Sequence, residues 1–256
     1  MNAATFLAML RRDAHVARRN FVPVLLQTLL QPMLMVFVFG RVMTASGLVA
    51  AQYKSVLLPG IIALAMLLSG VWSVAMPLIS EFQFTREIED RLLAPIETHW
   101  VALEKIAAGM LQAIAAGSVV VPTAWLVMGR GVELSFGSPL ALAALVLLVS
   151  CLAAALGLVL GTSVGQTHIG LMFTLVIAPM IFFGCAYYPW SALSGFPVLS
   201  KLVLINPFVY ATEGFRSVLV PHLPHLPVGA VYAGLLFFDA LFLAVGLNRF
   251  LKKAIG

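Results

Sequence analysis

The stretch SVLLPGIIALAMLLSGVWSVAMPLISEFQFTREIEDR, residues 55–91, decides the fold of this 256-residue chain. Its first 26 residues contain no charged side chain, and a helix of roughly 20 apolar residues is long enough to cross a bilayer. Lipid offers the backbone no hydrogen-bond partners, so a spanning segment must satisfy its own polar groups as a helix. We therefore predict a transmembrane helix over 55–80 that leads into a charged segment outside the membrane.

The composition of the whole chain agrees with that stretch. Hydrophobic residues make up 62% and charged residues 10% of the sequence, with a mean hydropathy of +1.05, which excludes a water-soluble domain. The apolar runs are unbroken, unlike the alternating strands of a membrane barrel. We predict one all-α integral membrane domain over residues 1–256. Its six transmembrane helices are expected at about 21–42, 55–80, 100–128, 138–163, 168–187 and 228–248.

The distribution of basic residues predicts the orientation in the membrane. Six spans place both termini on one side, and ten of the 15 basic residues lie on that side. They are Arg11, Arg12, Arg18, Arg19, Arg86, Arg91, Lys105, Arg249, Lys252 and Lys253, against Arg41, Lys54, Arg130, Lys201 and Arg216 on the other. The positive-inside rule then puts both termini in the cytoplasm. Because the basic residues flank spans and form no continuous stripe, nucleic-acid binding is not expected.

Residues 1–20 carry apolar and basic side chains on different faces of a helix. The apolar positions are Phe6, Leu10, Ala14, Ala17 and Phe21, with arginines and His15 elsewhere. This pattern predicts an amphipathic interfacial helix that rests on membrane lipids, with a short solvated tail as the alternative. The apolar run that follows exceeds the length of a signal peptide, so the first span is expected to be retained.

Residues 81–96, EFQFTREIEDRLLAPI, form the densest charge cluster. The apolar residues recur every four positions and the charges form two i,i+4 pairs, as in one amphipathic helix. Pushing on such a helix transmits force to the two spans it joins, so we predict a cytoplasmic coupling helix that docks onto a partner. An ordinary solvated loop helix is the alternative. The residues expected to couple are Glu81, Phe84, Arg86, Glu87, Ile88, Glu89, Asp90, Arg91 and Leu92.

The segment 187–227 is too polar and too rich in proline to cross as a regular span. Its apolar parts, 199–205 and 208–220, are separated by Asn206 and Pro207. Non-helical backbone at membrane depth needs cover from protein or a wet cavity, so two short re-entrant helices are predicted before the last span. Glu213 and Arg216 stand at i and i+3 and are expected to pair. We predict an outer gate built by Asn206, Pro207, Tyr210, Glu213 and Arg216, with a surface loop as the alternative.

Three passages together resemble one known family. They are LPGI at 58–61, the acidic cluster with LLAP at 92–95, and NPFVYATEGFR at 206–216. In order and spacing they are similar to the permease subunits of type 2 ABC exporters, which include exporters of nodulation factors, drugs, polysaccharides and lipid-linked sugars. The resemblance covers nearly the whole chain. It implies a permease dimer, with a homodimer favoured over a heterodimer, each copy resting on a separate nucleotide-binding ATPase subunit.

The chain itself is not expected to hydrolyse ATP. A Walker A loop ends in Gly-Lys-Ser/Thr, and none of the five lysines follows a glycine. ATP and Mg²⁺ are therefore expected in the partner, with no cofactor, metal or catalytic residue in this chain. The run GTSVG at 161–165 matches a serine-hydrolase elbow only by letter, because the strand-to-helix turn is missing. His222 and His225 without a third ligand are a weak metal signal.

Other intramembrane residues carry weaker expectations. Gly157, Gly161 and Gly165 recur every four residues and predict a smooth face for close helix packing. Asp239 in the last span is costly in lipid, and either a hydrogen bond between helices or a transport role explains it.

The preferred hypothesis is an ABC exporter permease in the bacterial inner membrane for an amphipathic, lipid-like, drug or glycan cargo. A self-sufficient secondary transporter and a non-transporting assembly subunit are the alternatives. A secondary transporter should show intramembrane carboxylates or inverted repeats with broken helices, and Asp239 alone is thin support for it.

Overall fold

The structure is a computed structural model that describes residues 30–50, 52–82, 98–129 and 134–255. Within these ranges the chain is helical and contains no β-strand, so the prediction of an all-α integral membrane protein is confirmed. The predicted interfacial helix over 1–20 lies outside the described residues. So does the predicted coupling helix over 81–96, apart from Glu81 and Phe82.

Eight helices organise the described part of the chain. They are α1 (Leu30–Ala45), α2 (Tyr53–Ser80), α3 (Thr98–Met128), α4 (Pro139–Ser163), α5 (Ile169–Phe182), α6 (Pro197–Leu202), α7 (Pro207–Leu219) and α8 (Val228–Ile255). Four of them, α2, α3, α4 and α8, are long and apolar enough to cross a membrane, while α1 and α5 are shorter apolar helices. Each of the six predicted spans overlaps one of these six helices, although α1, α2, α3 and α8 extend beyond the predicted bounds.

The predicted fifth span is longer than the helix found there. The prediction runs to residue 187, but α5 ends at Phe182 and the chain turns over residues 183–185. Cys185 has φ of 55° in this turn, a left-handed backbone conformation that a continuing helix cannot contain. Apolarity alone does not reveal such a turn, because Phe183, Cys185 and Ala186 are as apolar as a span.

Helix α2 lies at the centre of the bundle. Residues 57–71 are all buried, which explains why this stretch is apolar on every side instead of on one stripe. Small residues on its neighbours allow close approach: a Cβ added to Gly157 or Gly161 of α4 would lie 2.9 Å from Val71 O or Ala75 Cα of α2. Close packing of this kind holds helices together in lipid, because burial of apolar side chains contributes little to helix association when the lipid is equally apolar.

The two ends of the bundle differ. Helices α1 and α3 end, and α2 and α4 begin, at what we call the upper end, which also holds residues 183–227. At the opposite, lower end α2 and α4 end, α3 and α5 begin, and α8 finishes. Two cations brace the upper end: Arg41 Nη1 donates to Val127 O over 3.0 Å and Lys54 Nζ donates to Met128 O over 2.9 Å.

Helices α1 and α5 flank an open cleft. Its volume is about 380 Å³, and its lining combines apolar side chains with Gln31, Thr174 and Tyr187. Both helices contain a π-helical stretch, Val36–Val42 in α1 and Phe173–Ile177 in α5. Such stretches occur often at functional sites. The cleft thus offers apolar and polar groups side by side, as an amphipathic molecule requires.

Candidate gate and coupling sites

Asn206 and Pro207 fix the start of α7. The Asn206 Oδ1 accepts the Phe208 N–H over 3.0 Å, and its Nδ2 donates to Met180 O over 2.7 Å. The first contact caps the helix, and proline suits the first helical position because its missing N–H has no partner there anyway. Asn206 thus caps α7 and joins it to α5 at the same time.

Glu213 of α7 is a fully buried carboxylate that connects three segments. Its Oε1 accepts the Trp190 N–H over 2.8 Å, and its Oε2 accepts the Leu226 N–H over 2.9 Å. The Arg216 Nη1 donates to the same Oε1. A carboxylate that receives charge-assisted bonds on both oxygens is held more tightly than one in a simple ion pair. The loops before α6 and before α8 are therefore both tied to α7.

Arg216 extends the same network to α2. Its side chain is 0% exposed, and its Nη2 donates to Cys185 O over 3.1 Å and to Val56 O over 3.4 Å. The carbonyl of Cys185 belongs to the turn that ends α5. Desolvation of two charges is costly, so a buried pair persists only where further hydrogen bonds support it, as they do here. The pair Glu213–Arg216 joins α2, the turn after α5, and both loops.

Tyr210 and Thr212 add further contacts between α7 and its neighbours. The Tyr210 hydroxyl donates to Leu204 O over 2.9 Å, and the Thr212 hydroxyl donates to Gly184 O over 2.7 Å. The Tyr210 ring packs onto Gly234 of α8, where an added Cβ would lie 2.4 Å from the ring. The structure thus brings the five predicted gate residues together on α7 and its cap, while their role as a gate stays a prediction.

Three aromatic side chains at the upper end donate hydrogen bonds to backbone carbonyl groups. The Tyr53 hydroxyl donates to Tyr187 O over 2.6 Å, and Trp190 Nε1 donates to Ser200 O over 2.9 Å. The Tyr188 hydroxyl donates to Phe182 O over 2.9 Å, and burial raises the pKa of this hydroxyl, so it stays protonated as a donor. These rings hold the 183–195 segment in place with apolar surface and polar ends, as interfacial aromatics do.

The sequence did not indicate which groups form hydrogen bonds with Glu213 and Arg216. They are backbone atoms of Cys185, Trp190 and Leu226, which carry no side-chain signal. It indicated Gly60 only as part of a family motif. In the structure the backbone of Ala186 lies so close to Gly60 that a Cβ would sit 1.9 Å from Ala186 O.

The lower end carries a second buried ion pair. Lys105 Nζ of α3 lies 2.7 Å from Glu81 Oε1, directly after the end of α2. Glu104 beside it is 0% exposed. Of the predicted coupling residues Glu81 alone is described, and Phe84 to Leu92 lie outside the described residues. The pair joins the end of α2 to α3 beside the segment 83–97, which lies outside the described residues.

The remaining predicted positions are distributed along α4 and α8. Gly157 and Gly161 lie against α2, whereas Gly165 comes after α4 has ended at Ser163 and is not on the helical face. Asp239 is 5% exposed within α8, and neither carboxylate oxygen has a hydrogen-bond partner among the described residues.

Neither a serine-hydrolase site nor a metal site is formed by the residues in the described ranges. Ser163 Oγ accepts from Arg249 Nη1 over 2.6 Å, and His168 Nδ1 contacts its neighbour Thr167, so serine and histidine form no catalytic pair there. His225 Nδ1 contacts Leu226 O over 2.8 Å. No group of three metal-ligating side chains occurs among the residues that the structure describes.

Comparison with known proteins identifies related sequences. A sequence model of the family described as ABC-2 type transporter matches residues 4–220, which contain α1 to α7 and the gate residues. The inner membrane transport permease YadH of Escherichia coli (strain K12) is 25% identical over 204 residues, 77% of this chain and 77% of YadH. The YadH proteins of Escherichia coli O157:H7 and Shigella flexneri match to the same extent.

Proposed function

The chain belongs to the ABC-2 type transporter family, and we propose that it is the permease subunit of an exporter driven by a separate nucleotide-binding subunit. It is a transport permease of an ABC system, a non-catalytic subunit and a multi-pass protein of the inner membrane. In the proposed assembly two copies form the pathway, and ATP with Mg²⁺ binds to the partner ATPases. In this proposal the lower end, where α8 finishes, faces the cytoplasm, and both termini lie on that side of the membrane.

The cleft between α1 and α5 supports an amphipathic cargo. Apolar side chains line it, including Phe39 and Phe182, while Gln31 and Thr174 offer polar groups inside it. Few polar groups are available to replace the hydration shell of a small ion, which favours an amphipathic or lipid-like cargo. The family resemblance adds drugs and glycans as cargo classes. Two copies that meet along α1 and α5 enclose this cleft and cover the apolar surface of both helices.

The network around Glu213 supports an outer gate and is the observation that carries the proposal most directly. Re-entrant segments at membrane depth need their polar groups satisfied by protein, and here a single buried carboxylate holds two loops against α7. Such a gate would keep the upper end of the pathway closed until ATP binds to the ATPase subunits at the lower end. Export is the direction that the resemblance of the chain favours.

The coupling helix predicted over 81–96 gives an experiment on the ATPase contact. We expect the double variant Glu87→Ala/Arg91→Ala to bind the ATPase subunit roughly tenfold more weakly, because two interface charges of about 0.7 kcal/mol each are lost. ATPase stimulation and transport should fall accordingly. The measurement is the ATPase rate of reconstituted complexes as a function of subunit concentration.

Lys201→Ala is the matched control for this variant, since it removes an exposed charge from the upper end. It should leave the ATPase rate unchanged. Full ATPase stimulation and full transport after loss of both Glu87 and Arg91 would refute the coupling role of this segment.

A further inference from the structure

The last turns of α8 contact Phe82, which lies near the start of the predicted coupling helix. Phe82 packs edge-on against Phe250, with ring centroids 5.8 Å apart, and Lys253 Nζ lies 4.7 Å from the centroid of the Phe82 ring. Phe250 is 0% exposed and packs with residues of α2, α3 and α4 in one apolar cluster. Phe82 is therefore held between the end of α2 and the end of α8.

Two polar contacts fasten the same turns of α8 to α4. Lys253 Nζ donates to Thr162 O over 3.2 Å, and Arg249 Nη1 donates to Ser163 Oγ over 2.6 Å. Thr162 and Ser163 are the last two residues of α4, where carbonyl groups lack partners within the helix. Lys253 thus serves two contacts, a cation–π contact with Phe82 and a cap on α4.

At its other end α8 contacts the gate helix. An added Cβ on Gly214 of α7 would lie 3.0 Å from Val231, and the Tyr210 ring lies 5.9 Å from the Phe238 ring. These residues of α7 lie beside Glu213. A helix of 28 residues is about 42 Å long and stiff, so it can carry a displacement from one end of the bundle to the other.

We propose that α8 transmits the movement of the coupling segment to the outer gate, with Phe82, Phe250 and Lys253 as the positioning residues that connect it to that segment. This inference rests on the proposed function and deepens it. The ATPase displaces the segment 83–97, Phe82 moves with it, and the Lys253 and Phe250 contacts move α8. Because α8 packs on Tyr210 and Gly214, the displacement reaches α7 and the Glu213–Arg216 pair. The path through α2 and α3 remains, so the loss of Lys253 weakens the response of the gate without preventing assembly.

The experiment uses the whole transporter in nanodiscs and needs no cargo. A reporter cysteine is placed at His222, which is exposed in the loop after α7, and is labelled with a membrane-impermeant maleimide. The chain without this cysteine gives the background from Cys151 and Cys185. In the parent we expect trapping with ATP and vanadate to change the labelling rate roughly tenfold, as a shift between closed and open gate does.

We expect Lys253→Met to reduce this change to about twofold, with vanadate trapping of the nucleotide and recovery of the ATPase subunit unchanged. Lys253→Arg should restore the response, because it keeps the cation over the ring. Phe82→Leu tests the same contact from the other side and should reduce the response as Lys253→Met does. Lys252→Met is the matched control: the same charge is lost from the neighbouring exposed side chain, which has neither the Phe82 nor the Thr162 contact of Lys253 among the described residues, and the response should equal that of the parent.

The outcomes separate this inference from the function it rests on. A parent that recovers no ATPase, or shows no response to trapping, refutes the proposed function and the inference with it. If the parent responds, and Lys253→Met and Phe82→Leu respond as strongly as Lys252→Met, the role of α8 is refuted while the proposed function stands. Loss of the response in Lys253→Arg as well as Lys253→Met points to a structural role and also overturns the proposal.

Discussion

Replacing Glu213 with alanine is expected to lower the free energy of unfolding by about 3–5 kcal/mol, because it leaves the Arg216 guanidinium buried without its counter-ion. Both side chains are 0% exposed, so solvent does not take the place of the lost carboxylate. The variant also removes the acceptor of the Trp190 and Leu226 N–H groups, which releases both loops. The midpoint of thermal unfolding of the purified chain in detergent should fall by roughly 10 °C.

Three further variants show whether the ion pair causes this loss. Glu213→Gln keeps the side-chain shape and one acceptor oxygen, so it should lose less than Glu213→Ala. The double variant Glu213→Gln/Arg216→Met should lose less than the sum of its single changes, because neither charge is left buried alone. Lys201→Ala removes an exposed charge at the same end and should be neutral. A Glu213→Ala protein within about 2 °C of the parent, or less than about 1 kcal/mol, would contradict the role of the pair.

Gly60→Ala is expected to cost about 3 kcal/mol, at the upper end of the range for overpacking a tight interior. The added Cβ would lie 1.9 Å from Ala186 O and 2.7 Å from its carbonyl carbon, and backbone atoms do not yield as a flexible side chain does. Helix α2 and the turn over residues 183–185 must then separate. Since Cys185 O in that turn accepts from Arg216, the gate network loses a partner as well. Thermal unfolding of the purified variant measures the loss.

Gly170→Ala is the matched control for this substitution. Gly170 lies in α5, and no heavy atom of the described residues lies within 4 Å of an added Cβ, apart from its chain neighbours and its own helix backbone. Alanine has the higher helix propensity, so this variant should be neutral or slightly more stable. Equal midpoints for Gly60→Ala and Gly170→Ala would mean that α2 and the turn are not in the close contact described here.

Apolar length and charge placement were sufficient to predict the helices of the bundle. A segment such as 55–80 has one physical solution in lipid, because its backbone must bond within itself. The grouping of the gate residues was also accessible, since Asn206, Tyr210, Glu213 and Arg216 lie within eleven positions of one apolar helix. The spacing of these residues along one short segment is enough to group them, whatever the tertiary contacts are.

Contacts between segments far apart in the chain could not be predicted from the sequence in this way. Glu213 reaches backbone N–H groups 23 and 13 residues away, which every residue other than proline can offer. The approach of Ala186 to Gly60 and the contact of Lys253 with Phe82 depend on how whole helices pack. The turn after Phe182 lies where Cys185 O accepts from Arg216, so apolarity alone predicted a longer α5. The end of α4 at Ser163 agrees with the predicted span 138–163, and Gly165, expected on the packing face from its spacing, lies beyond that end.

The measurement that tests the central claim most directly is affinity purification of this chain from its native membrane, followed by mass spectrometry and an ATPase assay of the recovered complex. The account predicts a stable complex with a subunit that contains a Walker A loop and hydrolyses ATP. Reproducible recovery of a stable, folded chain with no ATPase would contradict it, and would favour a self-sufficient secondary transporter or a non-transporting assembly subunit.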